Sequence, residues 1–278
     1  VKDEKKVFLL ALGIILALGL VAAIIYFTAL KKPAPPAAAE KPAAGTASPA
    51  ASPAPPAPET GEPLAIPSVG LDQSDPVVRE FAGPLTSDPR FARWIQSKEL
   101  VRKFVAAVDN VANGLSPKSH VDFFSPSGGF KVMNRGGRFF VDASDYSRYD
   151  PVAEVFSSLN TADTIRFYRG LKPLINEAYR DLGYPDTDFD ETLVRAMAEL
   201  LEIPVVEGPV RLEKKVVSYA IADETLEALS QAQKQLLRMG PKNVREIQGK
   251  IRELAAALGV AESRLPSPRT STARNGRP

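Results

Sequence analysis

Tyrosines and arginines are where this sequence gathers groups able to recognise a partner: Tyr146, Arg148, Tyr149, Asp150, Tyr168, Arg169, Tyr179, Arg180 and Tyr184. Both residue types join a large contact area to directed hydrogen bonds and dominate binding hot spots. Tyr168 and Tyr179 stand eleven residues apart, about three helical turns, so a helix sets them on one face. The plainer alternative is that the rings finish a core edge while Arg148, Arg169 and Arg180 pair with nearby acids. The residues alone leave both open.

A second candidate is "LLRMGPKNVREIQGKI", Leu236 to Ile251. Gly240, Pro241 and Lys242 match the second half of a helix-hairpin-helix turn, in which glycines let backbone N–H groups approach a phosphate. Arg238 stands where the first glycine belongs, and its side chain would crowd that approach. The alternative is a helix–helix corner with Gly240 as cap, Pro241 in the next first turn, and Lys234, Arg238, Lys242 and Arg245 as a basic docking face. Nucleic acid is the weaker expectation.

Other chemistry finds little support. "DTDFDE", Asp186 to Glu191, sets acids at the first, third and fifth places of a calcium loop, but has Glu191 where glycine is needed and Met197 where a bidentate Glu is needed. Acids at a positive helix end explain it better. His120 is the single histidine and there is no cysteine, which removes multi-histidine sites, thiolate sites and disulfides. No phosphate loop, dinucleotide fingerprint or nucleophile elbow occurs. Paired carboxylates of a hydrolase meet in space rather than in sequence, and Glu154, Glu177 and Asp181 are the candidates. No metal, cofactor or catalytic residue is expected.

The elements that position these residues follow from punctuation and period. "SDPVVREF" and "SDPRFARW" set Ser-Asp before a first-turn Pro. "SKELVRKFVAAVDNVANG" carries Leu100, Val101, Phe104, Val105 and Val108 on one face and stops at Gly114. "FKVMNRGGRFFVD" predicts a hairpin about Gly136-Gly137. Asp150-Pro151 opens a helix, and Thr161 to Leu182 is a long one with Phe167, Leu171, Leu174, Ala178 and Leu182 inward and Pro173 as a bend. "DFDETLVRAMAELLE" is another helix and "GPVRLEKKVVSYAIAD" the best strand. Asp223 caps a short helix, and Ser230 to Met239 and Pro241 to Leu258 close the domain. The predicted fold is mainly α with a small antiparallel β element, an α+β domain at 71–259.

The flanks differ sharply. Val7 to Leu30 is a run of 24 residues without a charge. At about 1.5 Å per residue it spans roughly 36 Å, more than the ~30 Å hydrocarbon core, and it exceeds the ~7–15 apolar residues of a cleaved signal. A retained transmembrane signal anchor in the lipid bilayer is expected. Lys2, Lys5 and Lys6 against Lys31 and Lys32 bias residues 1–6 only slightly toward the cytoplasm. Residues 31–70 form a Pro/Ala-rich linker, extended and unable to bury a core, reaching on the order of 110 Å if fully stretched. Residues 260–278, without apolar period, predict a disordered basic tail. From Ala261 on there are four Arg and one Glu, whereas Leu71 to Val260 holds 25 basic and 27 acidic residues, so the net charge of +2 names no partner.

A resemblance accompanies this layout. "RYDP" at Arg148 to Pro151, "YRGLKPLINEAYRDLGYPDTDFD" at Tyr168 to Asp190 and "VVSYAIADETLEALSQAQKQLLRMGPKN" at Val216 to Asn243 resemble the bacterial domain of unknown function 3014. The resemblance covers Leu71 to Gly259 and implies an N-terminal span with a proline-rich linker. It carries no catalytic residue. The function expected is a non-catalytic recognition or scaffold module in the inner membrane. Its C-terminal domain lies outside the cytoplasm and binds an envelope protein or cell-wall component. An envelope hydrolase using carboxylates and a tethered nucleic-acid binder are the alternatives.

Overall fold

Residues 61–121 and 128–272 are described by the structure, a computed structural model. The apolar run Val7 to Leu30, the linker up to residue 60 and residues 273–278 lie outside the described residues. Among the described residues no helix is long and apolar enough to cross a membrane. All of them belong to one unit, Ala54–Pro278.

The unit is mainly helical with a small antiparallel sheet. Its helices are α1 (Ser74–Ala82), α2 (Pro89–Trp94), α3 (Leu100–Ala112), α4 (Asp150–Ser158), α5 (Thr161–Asp181), α6 (Phe189–Leu201), α7 (Glu224–Glu227), α8 (Gln231–Leu237) and α9 (Gly240–Leu258). Strands β1 (Val132–Arg135), β2 (Arg138–Val141), β4 (Arg211–Lys214) and β5 (Tyr219–Ile221) form an antiparallel sheet in the order β1-β2-β4-β5. β3 (Val205–Glu207) pairs separately, in parallel, with β6 (Thr270–Thr272).

Side-chain caps start most helices where the sequence placed them. Asp88, Asn160, Asp188 and Asp223 accept from backbone N–H groups of α2, α5, α6 and α7. Ser230 and Gln233 close a capping box on α8. The first Ser-Asp pair behaves differently. Ser74 and Asp75 lie inside α1, where the Ser74 hydroxyl donates to the Leu71 carbonyl at 2.7 Å. Asp75 instead accepts from the N–H groups of Glu99 at 2.8 Å and Leu100 at 2.9 Å. It thus caps α3 from a neighbouring helix, where Glu99 takes a left-handed φ of 58°.

Two large hydrophobic clusters, and a small one of Val111, Ala196 and Ala232, fill the unit. One gathers Leu71, Val78, Val101, Val105, Leu171, Leu174, Ile175 and Phe189 between α1, α3, α5 and α6. The other gathers Leu201, Ile203, Val206, Leu236, Val244, Ile247 and Ile251 around α9. The inward stripe of α5 is rotated from that expected. Ile165, Tyr168, Ile175 and Tyr179 join Leu171, Leu174 and Ala178, whereas Leu182 is exposed. Phe104 of α3 is likewise exposed, and Ala107 and Val111 are buried instead.

The C-terminal segment also departs from expectation. Beyond Val260 a 3-10 turn, Glu262–Arg264, is followed by Leu265, which is buried in the α9 cluster. Val205 N–H then donates to Arg269 C=O at 2.8 Å and leads into the β3–β6 pair. The cause is tertiary: an apolar slot and unpaired strand groups of β3 order a segment that has no periodic pattern of its own.

Candidate functional site

Two stretches singled out in the sequence meet in one corner. A 3-10 segment, Ala143–Tyr149, runs into α4, and the first turn of α9 packs against it. Gly240 has a φ of +83°, and a Cβ there would lie 2.4 Å from Cγ of the Tyr146 ring. Only glycine satisfies both demands. Asn243, 1% exposed, donates from Nδ2 to Tyr146 O at 3.2 Å, Asp150 Oδ1 at 3.0 Å and Met239 O at 2.9 Å. Lys242 Nζ lies 3.5 Å from Asp150 Oδ2 and remains largely exposed. Burial first, and the Asp145 charge second, push the Tyr146 hydroxyl up from its ordinary value.

Arg148 is held from several sides. Its Nε lies 3.0 Å from Oδ1 of buried Asp145, and a terminal nitrogen donates to Gly128 C=O at 2.9 Å. Its guanidinium stands 5.2 Å from the centre of the Tyr149 ring, itself buried. Tyr149, Asp145 and Arg148 therefore build the wall of the corner. Tyr146, Asp150 and Lys242 stand nearer solvent.

The remaining tyrosines sit elsewhere, between α5 and α6. Tyr168 and Tyr179 do share a face of α5, and it is the buried one. Tyr168 Oη donates to Asp190 Oδ1 at 2.5 Å, and Lys172 pairs with Asp190 and, at 3.2 Å, with Asp188. Burial and then the Asp190 bond push the Tyr168 hydroxyl far above its usual range. Burial alone would lower the Lys172 ammonium, but Asp190 and Asp188 outweigh it and hold it up. Tyr179 stacks on Tyr184 with centroids 4.5 Å apart, meets Phe189 edge-on at 5.2 Å, and its hydroxyl lies 2.8 Å from that of Thr192. Arg180 is exposed and Arg169 half-buried.

The basic residues near the α8–α9 turn are mostly engaged. Lys234 donates to Glu227 C=O at 2.9 Å and pairs with its carboxylate at 3.2 Å, and Arg245 pairs with Glu207. Arg238 is exposed, without an ion pair among the described residues. The space over Gly240 that a phosphate would need holds the Tyr146 ring. Of the carboxylates weighed for hydrolysis, Glu154 pairs with Arg90 at 2.9 Å and Asp181 with Arg102 at 3.5 Å. Glu177 and His120 are half-buried. In "DTDFDE", Asp188 is the N-cap of α6. Among the described residues no group of three or more His, Cys, Asp or Glu is placed to hold a metal ion.

Residues 100–255, more than half of the chain, match the family model described as Protein of unknown function (DUF3014). The chain belongs to that family. No curated protein and no solved structure matches it. The DUF3014 match runs from α3 into the last turns of α9, so it includes the whole corner, the α5–α6 tyrosines and both hairpins. It is narrower than the stretch 71–259 over which the sequence resemblance extends.

Sequence reasoning missed two features. Asn243 joins α9 to the segment ahead of α4, and a polar residue followed by an apolar period gives no hint of it. Val216 and Val217, read as strand residues, stand at a turn and are 99% and 95% exposed. The signal available was the broken alternation in Lys214-Lys215-Val216-Val217.

Proposed function

We propose that this chain is a membrane-tethered, non-catalytic recognition or scaffold module of the bacterial cell envelope, presenting its domain to a protein or cell-wall component. The observation that carries the reading is the corner where α9 docks on the segment ahead of α4. Exposed Lys242 and half-buried Tyr146 and Asp150 stand there on a frame closed from behind by Asn243 and Arg148. Aromatic and cationic side chains on a rigid frame suit recognition of an acidic or hydrogen-bonding partner at little ordering cost.

Val7 to Leu30 is the membrane anchor, residues 31–60 the tether, and the domain lies outside the cytoplasm. Residues 61–70, read from the sequence as linker, lie on the domain, where Leu64 N–H donates to Arg166 C=O at 3.1 Å and Ile66 and Val69 pack against the α5 cluster. The localisation rests on the uncharged run and the Lys distribution of the sequence. Protease added to intact spheroplasts tests it, with an epitope fused after Pro278. Loss of the epitope supports the orientation, and protection until lysis overturns it.

Recognition is tested in cells with a photo-crosslinking amino acid at Tyr146 or Lys242, against one at Ala256 on an exposed part of α9. A discrete adduct from the corner positions alone is expected, either with one envelope protein or with lysozyme-sensitive wall polymer. Equal, diffuse labelling from all three sites would sink the reading.

A further inference from the structure

The antiparallel sheet ends in two hairpin tips that point the same way. β1 and β2 turn at Gly136-Gly137, with φ of 57° and 80°. Phe139 pairs with Leu212 and Phe140 with Arg211. Continuing that register outward sets Arg138 level with Glu213 and Gly137 level with Lys214. The β4–β5 tip therefore rises beside the β1–β2 tip.

That second tip is chemically odd. Lys215 N–H donates to Ser218 C=O at 2.9 Å, which leaves Val216 and Val217 alone at the bend. Tight hairpins favour Asn, Asp and Gly at those places, and β-branched residues are poor turn formers. No core receives the two valines, since both are almost fully exposed. Neither turn chemistry nor packing calls for them.

Their surroundings are graded. Behind the valines, on the face shared with buried Leu212, come Tyr219, Phe139 and Phe130. Tyr219 meets Phe139 at 5.7 Å and Phe130 at 6.4 Å, and Tyr219 and Phe130 remain exposed. Stretches 128–141 and 211–221 hold six basic side chains, Lys131, Arg135, Arg138, Arg211, Lys214 and Lys215, against the one acid Glu213. Lys215 pairs with Glu213 at 3.0 Å, whereas Arg138 and Lys214 have no ion pair among the described residues and are exposed.

We propose that this sheet end is a docking surface for an anionic lipid bilayer, with Val216 and Val217 entering the acyl boundary and Arg138 and Lys214 resting on headgroup phosphates. The order of groups fits a bilayer in depth. Aliphatic side chains lead, and behind them Tyr219 and Lys214 stand level as a cross-strand pair, with Arg138 one step further back. Ring and cations thus share the depth of the membrane interface and its anionic headgroups. A protein pocket needs shape, and this convex tip offers none. The contact is separate from the proposed anchor at Val7 to Leu30 and would bring the domain back to a surface.

The test uses the full chain, whose lack of cysteine makes Val216→Cys a unique labelling site. An environment-sensitive fluorophore is attached there, or at Ala256→Cys as control. The chain is reconstituted in phosphatidylcholine vesicles with or without phosphatidylglycerol and with a lipid-borne quencher. Expected are blue-shifted, quenchable emission from position 216 only with phosphatidylglycerol, and none from position 256. Each cation near an anionic leaflet adds about fivefold to binding, so Arg138→Gln with Lys214→Gln lowers it roughly 25-fold. A label that stays in water, that responds equally without anionic lipid, or that is shielded without lipid as protein concentration rises overturns the proposal. The last outcome assigns the tip to a second copy of the chain. Anchoring is read separately by alkaline extraction: a chain that washes off in alkali yet shields position 216 at neutral pH overturns the anchor and supports the docking surface.

Discussion

Tyr179 and Tyr219 carry the same ring to opposite ends. Tyr179 is 1% exposed, stacked on Tyr184, edge-on to Phe189 and hydrogen-bonded to Thr192. Tyr219 is 36% exposed, touches two other aromatic rings, and fronts a turn of bare valines. The first group is surrounded by helices on several sides, so removing a ring leaves a hole that rigid neighbours cannot close. The second lies on a four-stranded sheet whose far end leaves Val216, Val217 and Tyr219 exposed. Aromatic clusters are therefore not one kind of feature in this protein. One makes stability and the other makes surface.

The comparison breaks first if the two groups cost the same. Phe189→Ala is expected to lose about 4 kcal/mol in urea unfolding, whereas Tyr219→Ala loses less than about 1 kcal/mol. Equal shifts in midpoint would mean that the sheet end is packed after all. Gly240 comes next, because it carries the corner rather than either cluster. Gly240→Ala combines a left-handed φ with collision against Tyr146 and should lose about 3 kcal/mol. Gly249→Ala, exposed on the same helix with nothing within 4 Å of its Cβ, should gain up to about 1 kcal/mol.

A smaller effect separates the α5–α6 side from the sheet by pH. The N–H of Asp190 first, and Lys172 beyond it, hold the Asp188 carboxyl below its ordinary value against the opposing effect of burial. A carboxyl whose folded pKa is depressed stabilises fully above its unfolded value, about 3.9, and loses that contribution as pH falls through the folded one. Asp188→Ala should therefore cost about 1 kcal/mol at pH 7, and the difference from the parent chain should shrink below about pH 4. A difference constant down to strong acid would remove the capping charge from the account. The smallest effect is the sharpest. Val216→Ser with Val217→Ser should change stability by no more than about 0.5 kcal/mol, while abolishing any contact those side chains make.

Local chemistry made much of this legible. Gly136-Gly137 between alternating apolar residues specifies a tight hairpin whatever surrounds it, and the hairpin is there. Asp88, Asn160, Asp188, Asp223 and Ser230 cap the helices that follow them because a cap is a contact across two or three residues. Asp75 was misread for the same reason, since its N–H partners belong to a helix that starts 25 residues later. Arginine and tyrosine positions were visible, but not their direction. The α5 stripe was rotated by about one position, so Tyr168 and Tyr179 counted as candidates for a surface when they belong to the interior.

By itself, the sequence determined the class of fold, the start of most helices, the first hairpin and the kinship with its family, because each is set by neighbours along the chain. Tertiary structure alone decided that residues 270–272 pair with β3, that Gly240 lies under Tyr146, that Asn243 ties α9 to Asp150, and that "KKVV" is a turn within a hairpin. Those outcomes depend on whether a distant element supplies an apolar slot, a hydrogen-bond partner or a strand edge. No periodicity along the chain encodes where such an element comes to rest.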